Sequence, residues 1–186
     1  ATGFATGAVA AIFVQLVDFF RRVEIPAFWV RTSIAGILTA CAGLAFPEVL
    51  GIGYATLNSI LAGQYTFSIL ITFLIAKLVV TAASAGLGIP LGVIGPSLVI
   101  GAALGALAGM LGGELMPMSV SSIALYVLLG MTAMMAAILQ APLFALMAVL
   151  ELTANPNIIL PAMLIIVVAT MTVSQVFRKR SVFMSQ

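Results

Sequence analysis

Gly86-Leu87-Gly88-Ile89-Pro90-Leu91-Gly92-Val93-Ile94-Gly95-Pro96 is the stretch on which the reading of this chain turns. Glycines at 86, 88, 92 and 95 and prolines at 90 and 96 punctuate it too densely for a regular helix. Yet it carries no polar side chain. A turn in water would use Asn, Asp, Ser or Lys. An apolar break suits membrane depth instead, where irregular backbone survives only if protein or a water-filled cavity surrounds it.

The next residues give that position a chemical meaning. A helix is predicted over Ser97–Gly113, with Pro96 in its first turn, where a missing N–H does little harm. Amides at a helix start have no intrahelical acceptor and carry the positive end of the macrodipole. Glycine at 92 and 95 lets backbone approach a ligand closely. These features predict an anion site made of N–H groups, with no fixed cation. Such a site suits conduction, which needs binding that is also easily left. A kink that serves only packing is the competing reading. A nucleotide loop fits worse: Leu91 stands where the third glycine of G-x-G-x-x-G belongs, and no strand precedes it.

Composition agrees with a lipid solvent. Of 186 residues, 63% are hydrophobic and 6% charged, with net charge +2 and no His. A soluble domain would carry roughly 25% charged residues. No charged residue lies between Lys77 and Glu114, between Glu114 and Glu151, or between Glu151 and Arg178. Each gap has room for a span of ~20 residues. Cys41 is alone, which excludes a disulfide scaffold, and the lack of His argues against a metal site. With no carboxylate pair or Cys/His constellation either, a membrane enzyme is a distant reading. The chain opens Ala1-Thr2-Gly3, without a basic leader or initiator Met. It is therefore expected to begin inside a larger membrane protein.

Apolar segments are predicted at Phe4–Phe20, Phe28–Phe46, Phe67–Ala85, Ser97–Leu111, Ser121–Leu139, Pro142–Leu152 and Ile158–Phe177. Pro142–Leu152 would be ~16 Å long, too short to cross alone. Uneven, broken helices are typical of transporters. Arg21, Arg22 and Arg31, and again Arg178-Lys179-Arg180, mark cytoplasmic ends by the positive-inside rule. The last run reads as a topology marker rather than a nucleic-acid or lipid patch. Gly101, Gly105, Gly109 and Gly113 fall on one helix face, which predicts close helix packing. A direct part in binding substrate is the alternative for that face. Met131, Met134 and Met135 read as core filling.

Two blocks of residues carry a resemblance. The first is Lys77, Thr81, Gly88-Ile89-Pro90-Leu91-Gly92-Val93-Ile94-Gly95-Pro96, Ser97-Leu98 and Gly101-Ala102-x-x-Gly105. The second is Gly130-Met131, Ala133, Ala136, Ala141-Pro142-Leu143, Val149-Leu150-Glu151-x-Thr153 and Leu160-Pro161. Together, over about 100 residues, they resemble the second half of the chloride channel and chloride/proton antiporter family. The first matches basic-x3-Thr followed by G-x-P-x-G-x-F-x-P. The second matches G-M-x-A-x-x-A-x-x-x-A-P-L, V-L-E-x-T and L-P.

The resemblance implies an all-α membrane fold of tilted, uneven and broken transmembrane helices, with this chain as the second inverted repeat. Residues 1–186 would then be the C-terminal half of the anion-transport domain, without the first half and without a cytoplasmic regulatory domain. The first half would bring a serine-containing anion loop and the glutamates that separate antiporters from channels. The implied function is transmembrane transport of chloride or a similar small anion, as a channel or proton-coupled antiporter. A membrane scaffold that keeps the packing motifs without transport is the alternative. Implied partners are the anion, the bilayer, the first half of the fold and a second copy in a homodimer; no nucleic acid and no cofactor is implied. The implied location is a multi-pass place in the cell (inner) membrane of a prokaryote.

Individual residues follow from the same resemblance. The anion-binding amides correspond to Val93 and Ile94, with Gly92, Gly95 and Pro96 forming the loop backbone. Ile94 stands where the family has Phe, which keeps the amide and changes the lining. The family also places a Tyr hydroxyl on the central anion after the last long span. Counting from Gln175, that position is Phe183, so the ring is kept and the donor lost. Glu151, inside an apolar stretch, is a candidate for proton transfer. The V-L-E-x-T match favours a structural role instead, with its carboxylate reaching free amides near Asn157.

Overall fold

The computed structural model describes residues 2–22, 28–45, 47–50, 53–89, 92–115, 120–154 and 156–176. Eight α-helices follow one another in this part of the chain: α1 (Thr2–Arg21), α2 (Phe28–Ala45), α3 (Tyr54–Leu61), α4 (Phe67–Gly86), α5 (Ile94–Leu115), α6 (Val120–Leu139), α7 (Pro142–Thr153) and α8 (Ile159–Met171). Short 3-10 turns at Pro47–Val49 and Pro156–Ile158 precede α3 and α8, and one π-turn, Thr172–Val176, follows α8. The described residues contain no strand. Helix lengths run from 8 to 22 residues, the unevenness expected of a broken-helix membrane fold. Thr2–Arg21, Phe67–Gly86, Ile94–Gly113 and Pro156–Gln175 are long and apolar enough to cross a membrane.

Sequence chemistry explains where the helices stop. Between α6 and α7, Pro142 at the first turn forces Ala141 out of helical geometry, to φ −124° and ψ 75°. Gln140 takes a positive φ of 54°, and its side-chain amide donates to the Ala137 carbonyl at 2.9 Å. One carbonyl of the α6 end is thereby satisfied without water. At the other end of α7, Ala154 adopts the left-handed conformation, and its N–H donates to the Leu150 carbonyl at 2.8 Å.

Tight contact between α5 and α6 forms the centre. A Cβ on Gly101 would lie 2.5 Å from the Gly130 carbonyl oxygen and 2.8 Å from Met131 Cα. One on Gly105 would run into the Tyr126 carbonyl, and one on Gly130 into the Gly101 carbonyl. Backbone thus packs on backbone, as the glycine period predicts for Gly101 and Gly105. The period does not extend evenly. Gly109 is within 3.3 Å of Tyr126 Cβ in the same sense, whereas Gly113 faces open space. Met131, Met134 and Met135 are buried beside this contact, as core filling requires. On the opposite flank, α1 meets α8 through Gly7, whose Cβ would be 2.6 Å from Thr172 Cβ and 2.9 Å from the Ala169 carbonyl.

Some hydroxyl groups inside this apolar core are satisfied by their own helices. Thr132 donates to the Leu128 carbonyl, and Thr172 to the Val168 carbonyl, both at 2.7 Å. Outward faces are apolar too: Trp29, Leu44, Leu143, Leu160 and Leu164 are all exposed. In lipid such faces need no polar cover.

Two elements differ from the sequence reading. Tyr54–Leu61 is helical, although no apolar segment was predicted there. Asn58 and Ser59 interrupt its apolar pattern, and the helix is held by packing on α5 and α6. Helix α5 begins at Ile94, three residues before the expected Ser97. Gly95 and Pro96 do not break it, because a helix's first turn makes no use of its own N–H groups.

Candidate functional site: the α4–α5 junction

Helix α4 ends in a closed C-terminal motif. Gly88, at φ 83°, is the left-handed residue; its N–H donates to the Ala85 carbonyl at 3.2 Å, and the Ile89 N–H donates to Ser84 at 3.2 Å. The Leu87 N–H reaches the Ala83 carbonyl at 2.9 Å. Only glycine adopts this conformation without a Cβ penalty, which accounts for the first glycine of the G-x-P pattern. A Cβ at Gly88 or at Gly92 would meet nothing within 4 Å, so both lie against open space. Pro90 and Leu91 lie outside the described residues.

Helix α5 then starts with donors that its own helix does not use. The Val93 carbonyl accepts the first helical bond, from the Ser97 N–H at 3.1 Å. Val93 is therefore the N-cap, and the N–H groups of Val93, Ile94 and Gly95 have no acceptor within the helix. Pro96, third in the helix, has no N–H to satisfy. The Ser97 hydroxyl turns away from these amides and donates to the Ile94 carbonyl at 2.7 Å. Val93 is buried with the core, whereas the Ile94 side chain is exposed. Gly92, Val93, Ile94, Gly95 and Pro96 are thus brought together in one short turn. Phe183, the remaining predicted anion contact, lies outside the described residues, as does the basic run 178–180. Glu151 is exposed on the last turn of α7, two residues before Thr153, whose hydroxyl donates to the Val149 carbonyl at 2.8 Å.

Sequence reasoning missed the setting of a charged residue in the body of α4. Lys77, in the middle of α4, is 3% exposed, and among the described residues it is the only buried charged side chain. Its Nζ donates to the Val49 carbonyl at 2.6 Å, across 28 residues of sequence. In the same 3-10 turn the Glu48 carbonyl receives the Thr56 hydroxyl at 3.4 Å, and the Pro47 carbonyl the Leu50 N–H at 3.1 Å. Gly53, at φ 90°, opens α3 and presses against α5: its Cβ would lie 3.0 Å from Val99 Cγ2. Outside the spans, Tyr65 is half-buried near Glu48. Burial and then the Glu48 carboxylate push its phenol above the ordinary 10.0, with Thr56 and Ser59 hydroxyls pulling partly back.

Comparison with known proteins adds a family and a fold. A family model described as voltage gated chloride channel matches residues 1–174. A putative chloride channel protein, ClcB-like, from Ralstonia nicotianae is 34% identical over 119 residues, which span 62% of this chain and 28% of that protein. Among solved structures, a eukaryotic CLC transporter superposes with a TM-score of 0.80 at 22% identity, covering 99% of this chain and 33% of the other. A slow cyanobacterial Cl−/H+ antiporter superposes with a TM-score of 0.73 at 23% identity, covering 99% and 44%. The chain thus spans about a quarter to under half of the length of the proteins it resembles.

Proposed function

This chain belongs to the voltage gated chloride channel family, and we propose that it supplies the C-terminal half of a transmembrane pathway for chloride or a similar small anion. The observation that carries the proposal is the start of α5. Three consecutive N–H groups, at Val93, Ile94 and Gly95, lack intrahelical acceptors beside a glycine backbone open to close approach. In a low-dielectric setting these donors and the helix dipole favour an anion by partial charge alone. The nearest cations in sequence are Lys77 and Arg178, so no ammonium or guanidinium belongs to the loop itself. Binding is then strong enough to replace water and weak enough to release.

The rest of the assembly follows from the same reading. The opposite wall comes from the first half of the fold, and a second copy completes a homodimer. The protein is a multi-pass membrane protein, and its bacterial ClcB relatives indicate the cell membrane of a prokaryote. Chloride is cargo, and the reading invokes no cofactor and no covalent step. The scaffold alternative draws on the α5–α6 backbone contact, which needs no anion to be stable. Flux decides. Liposomes holding the complete two-half protein should release chloride, and a proton gradient should alter that release only for a coupled antiporter. A correctly folded, complete protein that passes no anion would leave the scaffold reading standing.

A further inference from the structure

A lysine buried in the middle of an apolar span is held there against a strong preference for water. The turn that it reaches explains why it is tolerated. Pro47–Val49 is a short non-α segment with Val49 buried, so its carbonyls lie outside any α-helical ladder. All three carbonyls have donors: Leu50 N–H on Pro47, the Thr56 hydroxyl on Glu48 and Lys77 Nζ on Val49. The first two donors come from the segment's own neighbourhood. Only Lys77 comes from another span.

The turn in question is tied to α5 as well. Four residues beyond Val49, Gly53 packs on Val99, which is 2% exposed in the second turn of α5. Gly53 has no side chain and a left-handed φ of 90°, so an added Cβ would be strained by its backbone and would crowd the Val99 side chain at 3.0 Å. Three connections therefore close a triangle. Lys77 joins α4 to the turn, Gly53 joins the turn and α3 to α5, and the chain through residues 87–93 joins α4 to α5. The α5 amides sit at one corner of that triangle.

We propose that Lys77 is a positioning residue for the anion site: its ammonium struts the Pro47–Val49 turn against α4, and through Gly53 and Val99 sets where the α5 N terminus points. The assignment rests on the anion-pathway reading above. Lys77 acts through the backbone and does not touch the anion. The geometry asks for a donor of this length at this position, which an apolar side chain of equal reach cannot replace.

The test uses the complete two-half protein and chloride titration by calorimetry, with thermal unfolding in parallel. Lys77→Met should weaken chloride binding by about tenfold, the size expected when one hydrogen bond to a charged ligand is misaimed. Ile165→Ala, a cavity in α8 chosen as a control, should lower the melting temperature while leaving chloride affinity unchanged. Lys77→Arg, which keeps donors and charge, should retain most of the affinity. Gly53→Ala perturbs the other end of the strut without altering charge, and should weaken binding in the same direction. The double variant should bind no more weakly than the weaker single variant, because both break one path.

Several results would overturn the strut. One is Lys77→Met binding like wild type or like Ile165→Ala; another is Gly53→Ala at wild-type affinity, which would mark Lys77 as a remote charge only. If Lys77→Met does not assemble, the Gly53→Ala titration decides alone. Wild-type protein that neither binds nor passes chloride would instead sink the anion-pathway reading itself.

Discussion

Alanine at Gly101 and at Gly113 should shift stability in opposite directions, although both glycines belong to one four-residue period. At Gly101 the new Cβ would stand 2.5 Å from the Gly130 oxygen, with Met131 Cα and Met134 Cβ each at 2.8 Å. Carbon and carbonyl oxygen settle at about 3.3 Å or more, so α5 and α6 must part by ~0.8 Å. A gap of that size forfeits about a quarter to a half of each dispersion contact along the seam. Overpacking in a filled core costs about 1–3 kcal/mol, and the better helix propensity of alanine returns at most about 1 kcal/mol. With the full propensity gain returned, the net expectation for Gly101→Ala is a loss of up to about 2 kcal/mol. Gly113 meets nothing within 4 Å, so Gly113→Ala keeps only the propensity gain, up to about 1 kcal/mol. Reversible unfolding in mixed micelles, followed by far-UV circular dichroism, reads both signs. Equal effects at the two positions would refute the claim that backbone contact, rather than helix propensity, fixes this stripe.

Other perturbations test the remaining elements. Gly88→Ala puts a Cβ on a left-handed residue and should destabilise by about 1–2 kcal/mol, with Gly88→Asn milder; equal losses in chemical unfolding would contradict the cap geometry. Phe183→Tyr, in the complete protein, should tighten chloride binding by roughly ten- to a hundredfold if the ring faces the anion. Phe183→Leu should not tighten it, and titration of both variants with chloride checks the pair. For Tyr65 the folded-state pKa is raised, so its contribution to stability is complete below pH 10.0 and lost as pH rises through the folded value. Phenolate absorbance should show a late-titrating tyrosine that Tyr65→Phe removes. Residues 1–186 by themselves should carry no chloride through liposomes, since a pathway between two halves needs both; robust selective flux from this chain would contradict that reading.

Local punctuation was the legible part of the fold. The glycines and prolines of 86–96 announce a break, and Pro142 announces the start of α7, because backbone geometry alone decides both. Seven apolar stretches mark helices for the same reason: in lipid, hydropathy is the whole environment. The helix start at Val93 and Ile94 was legible through resemblance and helix-end chemistry together; that it binds an anion is the proposal made above. What escaped was non-local. Tyr54–Leu61 is too short and too polar in pattern to stand out, and is held by neighbours that periodicity cannot name. Lys77 read as a member of a motif and as one more charge at a gap's edge. Nothing within reach along the chain points to its acceptor, 28 residues earlier.

The closed end of α4 gives the junction a sign. Where two helices break apart in lipid, one offers spare carbonyls and the other spare amides, and such a gap would welcome ions of either charge. Here Leu87, Gly88 and Ile89 have already claimed the oxygens of Ala83, Ala85 and Ser84. Among the described residues the end of α4 thus keeps these three oxygens to itself, while the first N–H groups of α5 have no acceptor within their own helix. On the anion-pathway reading proposed above, a potassium ion of similar radius would find few oxygens there with which to replace its hydration shell, while chloride would find hydrogens. Under that reading the sign of the ion admitted would depend on which hydrogen bonds the backbone closes on itself, with Gly88 helping to close the α4 side.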